Sequence, residues 1–161
     1  MYVSTVIPSS LNNGDGIRLV IVFQGCSLKC SGCFSKDLQP FDTGQLITPK
    51  QLAKAISKEV SNNNMLDGIT LSGGNPPEQE DLLEFLVIMK KLKPRLNIWC
   101  WTGFEFDELP DERILDYIDV LVTGRYIKTL HFEHEYYGSS NQDVWRKENG
   151  KWTKDAKRDS E

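Results

Sequence analysis

The segment IRLVIVFQGCSLKCSGCF, residues 17–34, decides the fold, because it joins a buried strand to a loop that contains three cysteines. Residues 17–23 are mostly β-branched or aliphatic and end in an aromatic residue, and glycines stand on both sides of them. This pattern predicts a buried β-strand. Cys26, Cys30 and Cys33 follow it directly. The segment therefore predicts a strand that leads into a cysteine-rich site.

Beyond this segment, predicted strands alternate with predicted helices. Thr48 can cap a helix that begins at Pro49, and Gln51 completes a capping box. Further strands are predicted at residues 68–71, 96–101 and 119–122, with helices from residue 78 and at residues 113–118. Strands separated by helices of this length imply crossover connections and a parallel sheet. We therefore expect an α/β fold, a partial (β/α) barrel with an open, mostly parallel sheet.

The length of the chain predicts one domain. A chain of 161 residues is long enough for one hydrophobic core and too short for two. The single domain spans 1–161, with its core at about 13–153. The dipeptide Asn149-Gly150, flanked by two tryptophans, predicts a tight hairpin turn. Residues 154–161 form a charged tail that we expect to fray.

Charge and hydropathy exclude two classes of partner. The net charge is -4, and the basic residues are scattered among acids, so we expect no nucleic-acid partner. The start of the chain lacks a basic region followed by an apolar run, so no signal peptide is predicted. The aliphatic stretch Leu19 to Phe23 is only strand length, so no membrane span is predicted. These features predict a cytoplasmic protein.

The four cysteines fall into two groups. Three lie within eight residues, whereas Cys100 lies far along the chain between two tryptophans. A secreted disulfide framework would spread its cysteines more evenly, so the cluster indicates metal binding or redox chemistry in a reducing compartment. Cys100 sits on a predicted strand, where a free cysteine is usually a small core residue.

The number of clustered cysteines favours an open metal site. Three thiolates satisfy three irons of a cubane and leave the fourth iron without a protein ligand, whereas electron-carrying ferredoxins use four cysteines. The alternative for these residues is structural zinc, with His131 or His134 as the fourth ligand. A spacing of three and then two residues is unusual for zinc modules, and loop histidines are the simpler interpretation of His131 and His134.

A second candidate element is the stretch Ser72-Gly73-Gly74-Asn75-Pro76 after the second predicted strand. Glycines at the end of a parallel strand let a ligand approach the backbone closely, at the edge where α/β proteins bind small molecules. The simpler interpretation is a tight turn between a strand and a helix. Its position one strand–helix unit after the cysteine loop favours a ligand site.

These motifs carry a resemblance to a known superfamily. The cysteine motif followed by Phe34 resembles the cluster motif of radical S-adenosylmethionine enzymes, and residues 72–76 resemble their Gly-Gly-acid motif. Within that superfamily the chain resembles the activating proteins of anaerobic (class III) ribonucleoside-triphosphate reductases, over about residues 13–152. Residues 144–152 look like phage-type members. The other stretches that carry this resemblance are residues 13–18, 25–26, 98–104, 119–126 and 138–142.

The resemblance implies a set of site residues. Cys26, Cys30 and Cys33 would ligate one [4Fe-4S] cluster, whose open iron would bind the amine and carboxylate of S-adenosylmethionine. Two groups of residues would contact the S-adenosylmethionine: Gly32, Cys33 and Phe34 on the adenine side, and Gly74 with Asn75 at the methionine end.

The resemblance also implies a reaction and its partners. The reduced cluster would cleave S-adenosylmethionine to a 5′-deoxyadenosyl radical, which would take a hydrogen atom from a glycine Cα of the large anaerobic reductase subunit. An external electron donor such as flavodoxin would reduce the cluster. The alternatives are a radical enzyme that acts on another glycyl-radical protein or on a small molecule, and a zinc-stabilised binding module without catalysis.

Four residues depart from the family pattern. Asn75 stands where an acid is usual, Asp15 where proline is usual, Thr123 where aspartate is usual and Tyr137 where arginine is usual. A neutral Asn75 predicts S-adenosylmethionine binding weaker by about 1 kcal/mol, because charged partners make stronger hydrogen bonds. This prediction expects the Asn75→Asp variant to bind more tightly.

Overall fold

The computed structural model describes residues 1–157, in which eight strands form one sheet. The part of the predicted frayed tail at residues 158–161 lies outside the described residues. The strands are β1 (Tyr2–Ser10), β2 (Arg18–Phe23), β3 (Gln45–Leu46), β4 (Gly68–Gly73), β5 (Ile98–Trp101), β6 (Val120–Thr123), β7 (Asp143–Glu148) and β8 (Lys151–Lys154). The helices are α1 (Pro49–Asn62) and α2 (Leu82–Leu92), and several single 3-10 turns connect the other elements.

The sheet is mixed, with a parallel centre. Its strand order is β3-β1-β2-β4-β5-β6-β7-β8. β2, β4, β5 and β6 are parallel neighbours, whereas β1 and β3 on one side and β7 and β8 on the other are antiparallel. The predicted α/β class with an open, largely parallel sheet is therefore confirmed in its coarse form. Closure of this sheet into part of a barrel stays a prediction.

The predicted helix start at Thr48 is confirmed. The Thr48 hydroxyl accepts a hydrogen bond from the Gln51 backbone, and the Gln51 side chain accepts one in return from the Thr48 backbone. These two bonds satisfy amides that have no partner within the helix. The helix predicted at residues 113–118 is shorter, a 3-10 turn at Glu112–Asp116.

The main core lies between the two long helices and one face of the sheet. Buried residues of α1 and α2 pack on alternate residues of the parallel strands, which is the period-two pattern of a strand with one helix-covered face. Cys100 is fully buried in this core, as the sequence predicts for a small core residue. The largest buried side chains of this core include Phe23, Phe85, Ile56, Ile69, Leu71 and Leu86.

The opposite face of the sheet contains a buried cation. Arg18 is almost fully buried; its guanidinium donates to Thr70 Oγ1 at 2.8 Å and to Asn97 Oδ1 at 2.9 Å and lies 5.4 Å from the Trp99 ring centre. Burial lowers the pKa of Arg18 to about 10, so it is still charged at neutral pH. Its hydrogen bonds compensate for the lost hydration.

The sequence did not reveal β1, which lies between β3 and β2. The sequence places the start of the core near residue 13, whereas Val3 is buried within the main core. The predicted hairpin turn is confirmed, because Asn149 and Gly150 both have positive φ and connect β7 to β8. Within residues 1–157, no helix has both the length and the apolar character needed to cross a bilayer.

Candidate metal centre

The carboxyl ends of the four parallel strands meet at one cavity of about 300 Å³. The cysteine loop follows β2, the glycine turn follows β4, and short loops follow β5 and β6. In a parallel sheet these ends lie at one edge, which is where α/β proteins bind ligands. The residues that these four strand ends contribute to the cavity include Cys26, Cys30, Cys33, Gly73, Gly74, Thr102, Gly103 and Gly124.

Within residues 1–157 the three clustered cysteines form no disulfide; they are partly exposed and line this cavity. The loop folds back on itself, with a hydrogen bond from Cys33 N to Cys30 O at 3.2 Å and a positive φ at Gly32. Cys33 Sγ accepts a hydrogen bond from the Ser35 amide at 3.4 Å. Partial burial raises the pKa of Cys26, because desolvation penalises its thiolate, and a bound cation would offset that penalty.

Backbone hydrogen bonds fix the base of the cysteine loop. Gly25 N donates to Leu38 O at 2.7 Å, and Cys26 N donates to Gln39 O at 2.9 Å. The buried Gln24 side chain donates to Pro40 O at 2.6 Å. The two ends of the loop are therefore held together by bonds from residues 24–26 to residues 38–40.

The glycine turn packs directly on that loop base. Gly74 N donates to Phe23 O at 2.9 Å, and Asn75 N donates to Gly25 O at 2.8 Å. A Cβ atom at Gly74 would lie 2.3 Å from Gly25 O, and one at Gly73 would lie 2.4 Å from Phe23 O. The two glycines are thus required by the close approach of two backbones, in addition to any ligand contact.

Residues predicted for the adenine side lie at different places around the cavity. Phe34 stands on its rim with 77% of its surface exposed and its ring centre 5.0 Å from that of Tyr126. Gly32 packs near the Lys128 side chain and is not part of the cavity wall in this conformation. Their predicted contacts with adenine stay predictions.

Of the residues predicted for the methionine end, Gly74 is on the cavity wall and Asn75 is not. Asn75 is fully buried. Its Nδ2 donates to Glu78 Oε2 at 3.0 Å, and its Oδ1 accepts from Thr102 Oγ1 at 2.7 Å. The side chain and the backbone amide of Asn75 are therefore both committed to protein partners, and no atom of Asn75 faces the cavity in this conformation. A contact of Asn75 with methionine stays a prediction.

The donor set fits a cluster better than a single metal ion. Among residues 1–157, no three His, Cys, Asp or Glu side chains converge closely enough to hold one ion. The three cysteines line one shared cavity, and each thiolate of a cubane binds a different iron, so the three need not converge on one ion.

Neither histidine lies beside the cysteines, as a zinc site would require. His131 Nδ1 pairs with the Tyr126 hydroxyl at 3.2 Å, and His134 stacks on Tyr137 with a centroid distance of 4.1 Å. Neither histidine is part of the cavity wall. This arrangement gives the zinc module no fourth ligand from either residue.

The structure places the other departures from the family pattern. Asp15 receives hydrogen bonds from the Tyr136 hydroxyl and from Arg146 Nη1, the latter at 2.9 Å. Tyr137 lines the cavity. Thr123 is fully buried at the end of β6, and its hydroxyl has no hydrogen-bond partner within the described residues.

No periodic signal in the sequence marks the far wall of the cavity. Tyr126 and Gln142 belong to this wall, in a stretch without a helical or strand pattern. Gln142 Oε1 accepts from the Gly138 amide at 3.0 Å, and its Nε2 donates to Gly124 O at 3.0 Å. One side chain thus orders two loops, and only the resemblance at residues 138–142 pointed to it.

A family model agrees with this donor set. The model described as "4Fe-4S single cluster domain" matches residues 12–145, which include the strands and the loops that surround the cavity.

Curated relatives match most of the chain. The anaerobic ribonucleoside-triphosphate reductase-activating protein of Enterobacteria phage T4 is 34% identical over 96% of this chain and all of that protein. The proteins of the same name from Haemophilus influenzae and Escherichia coli K12 are 33% and 32% identical, over 86% and 85% of this chain and 94% and 93% of their own lengths. The chain therefore belongs to the family of anaerobic ribonucleoside-triphosphate reductase-activating proteins.

Proposed function

We propose that this chain activates an anaerobic ribonucleoside-triphosphate reductase by generating its glycyl radical, through reductive cleavage of S-adenosylmethionine at a [4Fe-4S] cluster. The observation that carries the proposal is the cavity at the carboxyl edge of the sheet. Among the described residues, three cysteines and no fourth line it, opposite a glycine turn that presents backbone groups. The names of the relatives support the reductase as the target.

Cys26, Cys30 and Cys33 would hold the cluster. The fourth cysteine of the chain, Cys100, is fully buried in the core and is not part of the cavity wall, so it is not available as a fourth ligand in this conformation. Burial also raises the pKa of Cys100, which keeps it a neutral thiol. Three donors leave one iron of a cubane open to an exogenous ligand.

S-adenosylmethionine would occupy the space between the cysteine loop and the glycine turn. When bound, the cluster and S-adenosylmethionine supply one-electron cleavage of the sulfonium and hydrogen-atom abstraction from a glycine Cα of the partner. Gly74, supported by Asn75, would orient the methionine end, and Phe34 with Gly32 and Cys33 would flank the adenine. The role of the protein is to orient the reactants and to exclude water.

The position of the site supports the partners that we propose. The cysteines are partly exposed, so an external donor such as flavodoxin could approach the cluster from outside. The cavity is open to solvent on one side, and the glycine loop of the large reductase subunit would close it. We propose a cytoplasmic location and no nucleic-acid or membrane partner for this reaction.

Anaerobic reconstitution tests the proposal. With iron and sulfide, the protein should take up about four irons per chain. Addition of S-adenosylmethionine, a reductant and the reductase should then give a glycyl radical by paramagnetic resonance. Cys26→Ser, Cys30→Ser and Cys33→Ser should each lose the cluster, whereas Cys100→Ala should keep it. A colourless protein that retains zinc would contradict the proposal.

The runner-up is a radical enzyme that acts on another glycyl-radical protein or on a small molecule. Turnover of a small molecule without a protein partner would favour it. The open side of the cavity argues for a large protein partner instead, because this chain does not close the site by itself.

A further inference from the structure

Glu78 joins the cysteine loop to the glycine turn. Its Oε2 accepts a hydrogen bond from the Ser27 amide at 3.0 Å, and its Oε1 accepts one from the Ser27 hydroxyl. Ser27 follows the first cysteine of the loop directly. The same Oε2 also accepts from Asn75 Nδ2 at 3.0 Å. One carboxylate thus receives three donors from two loops.

Asn75 extends this connection to a third loop. Its Oδ1 accepts from Thr102 Oγ1 at 2.7 Å and from Gly103 N at 3.4 Å. The Thr102 hydroxyl in turn accepts from Phe104 N at 3.1 Å. Ser27, Glu78, Asn75 and Thr102 therefore form a continuous chain across the loops that follow β2, β4 and β5.

The direction of each hydrogen bond explains why residue 75 is an amide here. Its oxygen faces two donors, Thr102 and Gly103, while its nitrogen faces the Glu78 carboxylate. A carboxylate at residue 75 would satisfy the two donors but would place two negative oxygens about 3 Å apart against Glu78. The amide at residue 75 and the acid at residue 78 are thus complementary.

We propose that Glu78 is a positioning residue that, paired with Asn75, holds the cysteine loop in register with the glycine turn. Its consequence for catalysis rests on the proposed function, whereas its effect on the loop does not. In this chain the negative charge of the pair lies on residue 78, beside Ser27. Asn75→Asp therefore weakens the site, the opposite of what the sequence alone predicts.

A double-mutant cycle tests the pair in the full-length protein prepared anaerobically. Asn75→Asp should lower the thermal midpoint by about 4–8 °C, since it replaces a charge-assisted hydrogen bond by repulsion. Glu78→Gln alone should also lower it. Adding Glu78→Gln to Asn75→Asp should instead raise the midpoint relative to Asn75→Asp alone, because it removes the repulsion between the two carboxylates.

Hydrogen exchange reports on the loop itself. The Ser27 amide should exchange about tenfold faster in Glu78→Gln than in the wild type, because a hydrogen bond to a carboxylate is replaced by a weaker one to a neutral amide oxygen. Glu80→Gln is the matched control, because Glu80 is exposed and makes no hydrogen bond or ion pair within residues 1–157. It should change neither the midpoint nor the exchange rate.

The reconstituted protein provides a further measurement, the response of the reduced cluster to S-adenosylmethionine. A purely structural role of Glu78 and Asn75 would not change this response. The paramagnetic resonance spectrum of the reduced cluster should respond to S-adenosylmethionine at higher concentrations in Asn75→Asp than in the wild type, with partial recovery in the double variant. A further loss of stability in the double variant, or unchanged exchange at Ser27 in Glu78→Gln, would overturn the proposal. A wild type without a cluster would refute the proposed function and leave the stability and exchange tests intact.

Discussion

At the scale of single residues, backbone contact limits what the site tolerates. Gly74 touches the base of the cysteine loop so closely that a methyl group would meet Gly25 O at 2.3 Å. Cys100 illustrates the opposite case, because its thiol is as buried as any core side chain and is not part of the cavity wall. Residue type alone does not distinguish a cysteine that can bind a metal from a core cysteine. The position of the cysteine relative to the ends of the strands makes this distinction.

Gly74→Ala should therefore impair both stability and cluster uptake. The added methyl group must displace backbone, so we expect a loss of about 1–3 kcal/mol in unfolding free energy, typical of overpacking. Chemical denaturation and iron content after reconstitution measure the two effects. Gly138→Ala is the control on the same cavity, since its Cβ would lie 3.4 Å from Tyr126, an ordinary contact. Equal behaviour of the two variants would refute this steric explanation.

At the scale of elements, the sequence predicts correctly those helices, turns and strands whose formation depends on neighbouring residues in the chain. The helix cap at Thr48, the hairpin turn at residues 149–150 and the strand before the cysteines all have short-range causes, and the structure confirms them. β1 was missed because its burial depends on pairing with β2 and β3, and its outer positions are polar or exposed. The wall at residues 125–142 depends on side-chain hydrogen bonds of Gln142, a local one with Gly138 and a distant one with Gly124, which no periodicity reveals.

Thr48→Ala should destabilise α1 and leave the site chemistry intact. It removes the oxygen that accepts from the Gln51 amide, a loss of about 1 kcal/mol in unfolding free energy. Ser57→Ala, within the same helix, should be neutral or slightly stabilising, because alanine has the better helix propensity. Denaturant titration of both variants measures the difference. A Thr48→Ala protein as stable as Ser57→Ala would show that the capping box contributes nothing.

Asp15 connects the loop before β2 to β7, which makes stability depend on pH. Partial burial raises its pKa, but the hydrogen bonds from Tyr136 and Arg146 and the charge of Arg146 outweigh this, so the net pKa lies below its ordinary value of 3.8. A lowered folded-state pKa means that the stabilisation is present above the ordinary pKa and disappears as the pH falls through the lower one.

Asp15→Asn should consequently lower the free energy of unfolding at pH 7. At a pH below the lowered pKa of Asp15, the same substitution should change it little. The effect should be about 1 kcal/mol or less in unfolding free energy, since the Asp15 side chain is 55% exposed and its ion pair is screened. Thermal midpoints at several pH values measure it. Asp42→Asn serves as control, because Asp42 is exposed and has no hydrogen bond or ion pair within residues 1–157. A pH-independent loss in Asp15→Asn would contradict the electrostatic explanation.

At the scale of the whole molecule, the sheet closes only part of the site. The two long helices cover one face, and the cavity opens at the carboxyl edge between the cysteine loop and the wall at residues 125–142. A carbon radical attacks almost any nearby C–H bond, so its site must be enclosed when the radical forms. The open side and the exposed apolar rim at Phe34 together favour closure by the partner.

Phe34→Ala should reduce activation of the partner without changing the stability of the fold. The side chain is 77% exposed, so its removal should change the unfolding free energy by less than about 0.5 kcal/mol. If Phe34 contacts both S-adenosylmethionine and the closing partner, the yield of glycyl radical should fall by about tenfold, typical of a truncated aromatic anchor.

Met65→Ala is the matched control: Met65 is 69% exposed but precedes β4, at the opposite edge of the sheet. Cluster content and thermal midpoint should be equal in both variants, with only Phe34→Ala impaired in paramagnetic resonance assays with the reductase. An unimpaired Phe34→Ala protein would mean that the rim of the cavity takes no part in binding, and closure would then have to come from another surface.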